Sequence, residues 1–283
     1  MKNSAILLIS CPDRKGLVAG IGEFLYKRNA NVLHADQHQD SETGLFLMRV
    51  EWDLSEFELA VEDFETEFSP LAHDLGMDWK LRLSTIRQRV GVFVSHYDHC
   101  LADLLYRQRS GELNCEFPLI ISNHETAREW AEFYQIPFYF IPVKDNKVEA
   151  EKRQLELLQE NDIDLIVLAR YMQILSGHFV DCYPQRIINV HHSFLPAFSG
   201  ARPYHRAFEK GVKLIGATSH YVTPELDEGP IIEQDVIRIS HRDQLNDLIQ
   251  KGRDLEKIVL SRAVRWHIEH RILTYSGKTV VFD

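Results

Sequence analysis

The sequence is poor in cysteine and carries an excess of negative charge. Its four cysteines among 283 residues are far apart and form no CxxC pair, so neither a disulfide framework nor a structural zinc site is expected. The formal net charge of -10 disfavours DNA, RNA and anionic membranes as main partners, because proteins bind such surfaces through clustered lysine and arginine. A small anionic substrate needs only a local basic pocket and is not excluded.

A long hydrophobic run is also absent. The apolar stretch near the start, Ala5 to Ile9, is too short for a signal sequence or a membrane span. We therefore expect a cytoplasmic protein without a membrane segment. Hydrophobic residues make up 45% of the chain and aromatic residues 10%, which is normal for a globular protein with a real core. The length fits two ordinary domains.

Residues 1–84 alternate between patterns typical of strands and of helices. Apolar spacing predicts six elements in the ferredoxin-like order β-α-β-β-α-β. Pro70 falls inside the second helical pattern, so we expect a break or kink there. The predicted elements are strands over 5–10, 31–39, 46–52 and 77–83 and helices over 17–25 and 57–75.

The loop before the first helix reads Pro12-Asp13-Arg14-Lys15-Gly16-Leu17-Val18. Gly16 lets the backbone approach a ligand, and the amides of a helix N-terminus favour a carboxylate. With the element order, this loop resembles the ACT domain. The resemblance implies a homo-oligomer, dimer or tetramer, and a small amino-acid effector, glycine or methionine, bound by Asp13, Arg14, Gly16, Leu17 and Val18. The alternative is that Asp13 only caps the helix and Gly16 only makes the turn.

From residue 85 onward, purely apolar strands alternate with helices. Such strands indicate a parallel sheet covered on both faces. We therefore expect residues 85–283 to form a doubly wound, mostly parallel α/β domain with its site at the carboxyl ends of the strands. A long amphipathic helix is predicted over 245–267. Shorter strands are predicted over 90–94, 118–122, 138–141, 165–168, 186–191, 214–222 and 231–239.

Two polar side chains stand at the end of one of these buried strands. Asn189 and His191 are two residues apart, so both point to the same face of the strand. Buried polar groups need partners, or they destabilise the fold. The pair is therefore either catalytic or a hydrogen-bonded structural pair. A later acidic loop, residues 223–228, contains Asp227. Taken alone, Asp227 is either catalytic or an ordinary acidic residue of a solvated loop.

Three motifs together resemble the formyltransferase fold of folate enzymes. They are Asn189-Val-His191, Ser193-Phe-Leu-Pro196 and Asp227-x-Gly-Pro230. With the ACT-like region in front, the chain resembles the formyltetrahydrofolate deformylase family, including at Leu168 to Leu175 and at Gly200 to His205. The resemblance implies hydrolysis of the substrate 10-formyltetrahydrofolate to formate and tetrahydrofolate, without a required cofactor.

The resemblance also implies a role for each site residue. Asn189 and protonated His191 stabilise the negative oxygen of the attacked formyl group, and Asp227 takes a proton from water directly or through another water. Arg170 follows a buried strand and meets either the glutamate tail or an acidic loop residue. The folate-binding residues implied are Arg170, Met172, Gln173, Ile174, Leu175, Thr223, Pro224, Glu225 and Leu226.

Other functions of the same fold are less consistent with the sequence. A phosphorylated amine acceptor needs a glycine-rich phosphate cradle, whereas the first strand leads into Ser95-His96-Tyr97-Asp98-His99. A tRNA acceptor needs a basic RNA-binding domain. A non-catalytic folate or amino-acid sensor is the remaining alternative. A metal at His191 and His192 is not expected, because adjacent strand residues point to opposite faces.

Overall fold

The computed structural model describes residues 3–144, 146–197 and 203–282. The chain divides into two compact units. The first comprises residues 1–87 with the segments 269–274 and 280–283, and the second comprises 88–268 with 275–279. The sequence-based division assigned both C-terminal segments to the second domain. Within the first unit, Arg49 donates hydrogen bonds to the backbone carbonyls of His270 and Glu269.

The first unit has the predicted β-α-β-β-α-β order. Its four strands form an antiparallel sheet in the order β2-β3-β1-β4, which confirms the ferredoxin-like arrangement. A single turn of 3-10 helix, Val61–Asp63, precedes the second helix. The elements are β1 (Ser4–Pro12), α1 (Leu17–Tyr26), β2 (Asn31–Asp40), β3 (Leu45–Asp53), α2 (Phe64–Leu75) and β4 (Asp78–Leu83).

Of the break or kink expected at Pro70, the break is wrong, and the kink stays a prediction. Helix α2 continues through Pro70 to Leu75. Phe64 and Phe68 before the proline and Ala72 after it are buried in the core. Packing on both sides therefore offsets the hydrogen bond that proline cannot donate. The helix is instead shorter at its N-terminal end than predicted, because α2 begins only at Phe64.

The second unit is built on a seven-stranded sheet in the order β11-β10-β9-β8-β5-β6-β7. Strands β5 to β9 run parallel to one another, and β10 pairs antiparallel with both β9 and β11. This pairing confirms a mostly parallel α/β domain. The strands are β5 (Gln88–Val94), β6 (Cys115–Ser122), β7 (Phe138–Phe140), β8 (Leu165–Ala169), β9 (Ile187–His191), β10 (Leu214–Tyr221) and β11 (Ile231–Arg238).

The strand order reverses between β5 and β8, and ligands of such sheets bind at the carboxyl ends beside this point. A hairpin of β12 (Ile272–Tyr275) and β13 (Lys278–Val281) ends the chain. Two short helices, α6 and α7, were not predicted. The helices are α3 (His99–Ser110), α4 (Arg128–Tyr134), α5 (Lys147–Glu160), α6 (Gly177–Cys182), α7 (Pro203–Lys210) and α8 (Leu245–Ile268). Within the described ranges, no helix is long and apolar enough to cross a bilayer.

Candidate active site

Strand β9 presents Asn189 and His191 at its carboxyl end. Its partner β10 runs antiparallel, so Asn189 lies opposite His220 and His191 lies opposite Thr218. His191 is 6% exposed. The period of two that the sequence indicated therefore brings an amide and an imidazole to one edge of the sheet.

The loop between β10 and β11 brings Asp227 to this edge. Asp227 has a left-handed backbone with φ of 60°. Two residues later, a side chain at Gly229 would place its Cβ 1.7 Å from the carbonyl oxygen of Tyr221, so only glycine fits. The amide of Tyr221 also donates to the carbonyl of Pro230 at 2.9 Å. The loop is thus held tightly against the end of β10.

Asp227 contacts His191 through one carboxylate oxygen. Oδ1 lies 3.2 Å from His191 Nδ1 and 3.8 Å from His220 Nε2. The hydrogen bond from His191 lowers the pKa of Asp227, although partial burial opposes this shift. No described residue donates a hydrogen bond to Oδ2, and His191 Nε2 is buried without a described partner. The pair therefore has one oxygen and one ring nitrogen whose hydrogen-bonding capacity the described residues leave unused.

His220 is a site residue that the sequence interpretation missed. Its Nδ1 lies 2.8 Å from the carbonyl oxygen of Tyr221, so Nδ1 must carry the proton. Its Nε2 then accepts a hydrogen bond from the Asn189 amide at 3.2 Å. Burial lowers the pKa of His220, which keeps the ring neutral and the amide oriented. The available signal was a polar run, Thr218-Ser219-His220, in an otherwise apolar strand.

A cavity of about 520 Å³ opens beside these groups. Three of its apolar side chains are largely exposed: Met172 at 53%, Ile174 at 60% and Leu226 at 60%. Ordinary core packing does not explain such exposure, whereas Leu175 does belong to the core. All predicted folate residues line this cavity together with the Asn189, His191 and Asp227 side chains: Arg170, Met172, Gln173, Ile174, Leu175, Thr223, Pro224, Glu225 and Leu226.

Arg170 pairs with a helix residue rather than with an acidic loop residue. Its Nε lies 3.4 Å from Oε2 of Glu256, which is 1% exposed and lies on α8. Glu256 also contacts His99 Nε2 at 2.7 Å and accepts from the Tyr204 hydroxyl at 2.6 Å. Burial alone would raise the pKa of Glu256, but the hydrogen bond from His99 and the charge of Arg170 outweigh it and lower the pKa. The sequence interpretation missed this network.

His191 and His192 do not face opposite sides of the sheet, as was expected of adjacent strand residues. Strand β9 ends at His191, and both side chains line the cavity with ring centroids 5.2 Å apart. Among the described residues, the one group of three side chains close enough to hold a metal is His99, Cys100 and Glu256. Glu256 there already pairs with a cation, Arg170, which disfavours a second cation beside it.

The predicted effector loop lies in the first unit. Gly16 is the N-cap of α1 with φ of 95°, and no side chain caps the helix. Asp13 instead accepts a hydrogen bond from Gln39 at 2.6 Å, so the alternative that Asp13 caps the helix is wrong. Leu17 is buried, whereas Val18 is 46% exposed, and Arg14 donates to the carbonyl of Asp74.

The resemblance at Gly200 to His205 falls partly outside the described residues. Gly200, Ala201 and Arg202 belong to the undescribed part of the chain. Tyr204 and His205 line the cavity. A side chain at Gly252 would place its Cβ 2.2 Å from the Tyr204 ring, so the close approach of this ring to α8 requires glycine.

Two family models match the chain in the order that the fold suggests. The model of the ACT domain matches residues 5–68, and the model described as formyl transferase matches residues 88–264. The catalytic candidates all fall within the second match.

Several relatives match this chain over nearly their whole length. A formyltetrahydrofolate deformylase of Synechocystis is 55% identical over 99% of this chain and 98% of its own length. One of Bacillus subtilis is 50% identical over 98% of this chain and 93% of its own. The crystal structure of a formyltetrahydrofolate deformylase from Pseudomonas syringae superposes with a TM-score of 0.97 at 46% identity, covering 100% of this chain and 95% of that one.

Proposed function

The chain belongs to the formyltetrahydrofolate deformylase family, and we propose that it hydrolyses 10-formyltetrahydrofolate to formate and tetrahydrofolate at Asn189, His191 and Asp227. The observation that carries the choice of residues is the convergence of these side chains in one cavity. There, His191 Nδ1 lies 3.2 Å from Asp227 Oδ1, and His191, whose Nε2 has no partner among the described residues, lines the cavity.

The reaction places a negative charge on the formyl oxygen. Water adds to the formyl carbon, and Asp227 accepts the water proton at Oδ2, directly or through a second water. Asn189 donates one amide hydrogen to His220 and keeps the other for the formyl oxygen. Protonated His191 donates from Nε2 and then protonates the departing N10, which breaks the C–N bond and yields formate.

The folate lies between the two loops that line the cavity. The exposed side chains of Met172, Ile174 and Leu226 flank the flat pteridine, because contact between apolar side chains and an aromatic ring removes both from water. Backbone groups of 173–175 and 223–226 serve the polar edges of the ring, except the Glu225 carbonyl, which accepts from the Thr223 hydroxyl at 3.1 Å. The amide of Met172 is not among them, since it donates to Ser95 Oγ at 3.0 Å.

A formate-release assay tests the reaction. Purified protein should release formate from 10-formyltetrahydrofolate, and Asn189→Ala and His191→Ala should each lose about a hundredfold or more in turnover while staying folded. As a control, Asp254→Asn, a change at an exposed position of α8, should leave turnover unchanged. Tight folate binding without formate release would instead support a non-catalytic sensor.

We extend the proposal to regulation by the first unit. Glycine or methionine is the proposed effector, with the loop of Asp13, Arg14, Gly16, Leu17 and Val18 as its site and a homo-oligomer as the working form. The positive φ of Gly16 supports a close backbone approach. Turnover with and without each amino acid tests this, and Gly16→Ala should abolish any response while formate release without effector persists.

The cysteines support a location in the cytoplasm. All four are free thiols, and three of them are buried. Reduced thiols persist in compartments kept reducing. We therefore propose a cytoplasmic enzyme.

A further inference from the structure

Arg170 lies in the cavity wall beside the proposed catalytic histidine. In the parallel pair of β8 and β9, Leu168 lies opposite Asn189. Arg170 directly follows β8 and leaves the strand there with φ of 61°, and it lines the same cavity as Asn189 and His191. The Arg170 side chain is 9% exposed, so a nearly buried positive charge lies in the wall of the cavity that holds the proposed reacting centre.

The guanidinium of Arg170 is held in place but is not saturated. Its Nε pairs with Glu256, whose oxygens are also used by His99 and Tyr204. Its Nη1 is buried without a hydrogen-bond partner among the described residues. An arginine has five N–H donors arranged as a fork that matches a carboxylate. A buried charged donor without a partner is costly, and an anion that reaches the guanidinium from the cavity would satisfy it.

This end of the cavity also carries a surplus of positive charge. Arg170 and Arg253 lie on the Tyr97 ring, 5.4 and 5.1 Å from its centroid, and Glu256 compensates only one of them. Burial and then the charge of Arg170 lower the pKa of His192 to about 3, so that ring stays neutral. An anion produced in the cavity is therefore attracted toward Arg170.

We propose that Arg170 forms a subsite for formate inside the catalytic cavity, with Glu256 fixing the position of the guanidinium. The inference rests on the proposed function, because hydrolysis generates formate at His191. Once Asp227 has passed the water proton on to solvent, its carboxylate and the new anion repel each other, and Arg170 in the wall of the same cavity receives the anion. The glutamate carboxylates of the folate are separated from N10 by a benzene ring and an amide, whereas formate is released inside this cavity from the formyl carbon itself.

Binding of ¹³C-formate to the enzyme without folate tests the subsite independently of turnover. The wild-type enzyme should broaden the formate NMR signal in a saturable way. Arg170→Gln should weaken binding about ten- to a hundredfold, the worth of charge-assisted hydrogen bonds. Arg170→Lys keeps the charge but loses the forked arrangement of donors, so its formate affinity should lie between those of the wild type and Arg170→Gln. If Arg170→Gln does not fold, the double variant Arg170→Met/Glu256→Gln removes both members of the pair together and should bind formate as weakly.

Matched controls separate formate from the other carboxylates. Arg253→Gln removes the same charge from an exposed position of the cavity and should change formate affinity less than about twofold. If Arg170 binds the glutamate tail instead, Arg170→Lys will raise KM for the glutamylated substrate but not for a pteroate analogue without glutamate. This KM pattern would overturn the proposal. The absence of saturable formate binding to the wild type would also overturn it, and so would wild-type formate affinity in folded Arg170 variants. Failure of the proposed hydrolysis would appear separately, as absent formate release.

Discussion

Asp227 and Glu256 are two carboxylates in the wall of one cavity, each beside a histidine, and they are held in opposite ways. Asp227 lies on a loop, is 13% exposed and faces His191 through one oxygen. Glu256 lies in the long helix α8, is 1% exposed and contacts His99, Tyr204 and Arg170. Both have a lowered pKa, so both are carboxylates at neutral pH.

From this difference we infer that the charge of Asp227 serves the proposed chemistry and that the charge of Glu256 serves to position its partners. Asp227 keeps an oxygen without a described donor, so it is able to accept a proton from a water molecule. Glu256 has both oxygens engaged, so it is able only to orient its partners and to neutralise Arg170. Removing Asp227 should therefore affect rate, and removing Glu256 should affect stability.

The largest expected effect is on stability. Glu256→Gln leaves the buried guanidinium of Arg170 uncompensated and should lower the free energy of unfolding by about 3–5 kcal/mol, measured by urea denaturation. Arg170→Met/Glu256→Gln removes both charges and should recover much of this loss. Equal stability of Glu256→Gln and wild type would show that the network is not the structural element described.

The next effect is on rate. Asp227→Asn should lower turnover by roughly 3–4 kcal/mol in activation free energy, about a hundredfold or more, while urea denaturation stays close to that of the wild type. Steady-state formate release measures the rate. Near-normal turnover of the purified variant would remove Asp227 from the mechanism. The contrast between Asp227 and Glu256 would then no longer hold.

A smaller effect should follow from moving the loop without changing its charge. Gly229→Ala places a Cβ against the rigid carbonyl of Tyr221, and such overpacking costs about 1–3 kcal/mol. Turnover should fall because Asp227 shifts from His191. Gly22→Ala, where nothing lies within 4 Å of the new Cβ, is the matched control. If both variants turn over like wild type, the tight loop does not position Asp227.

The smallest effect concerns acid stability. The pKa of His192 is about 3 in the folded protein and about 6.5 in the unfolded chain. The unfolded state therefore binds the proton first, so stability is complete above pH 6.5 and falls as the pH drops toward 3. His192→Phe should reduce this slope by up to about 1.4 kcal/mol per pH unit, measured by urea denaturation at pH 7, 6 and 5. An unchanged slope would contradict a neutral, buried His192.

Prediction from the sequence succeeded where the signal is local. The period of two placed Asn189 and His191 on one face, and the apolar runs predicted the parallel strands. Pro70 was misjudged because its cost is local whereas the packing of Phe64 and Phe68 that offsets it is not. His220 was missed because its role depends on the carbonyl of the next residue and on a neighbouring strand.

The sequence by itself determined the order of the elements and the polar groups available at the strand ends, because hydrophobic periodicity and residue chemistry are readable over a few positions. Only the tertiary structure decided which of those groups meet. His99 and Glu256 are 157 residues apart in the chain and 2.7 Å apart in space, and no local pattern encodes that distance. The partner of Arg170 followed from the same packing, because the long helix α8 brings Glu256 to the carboxyl end of β8.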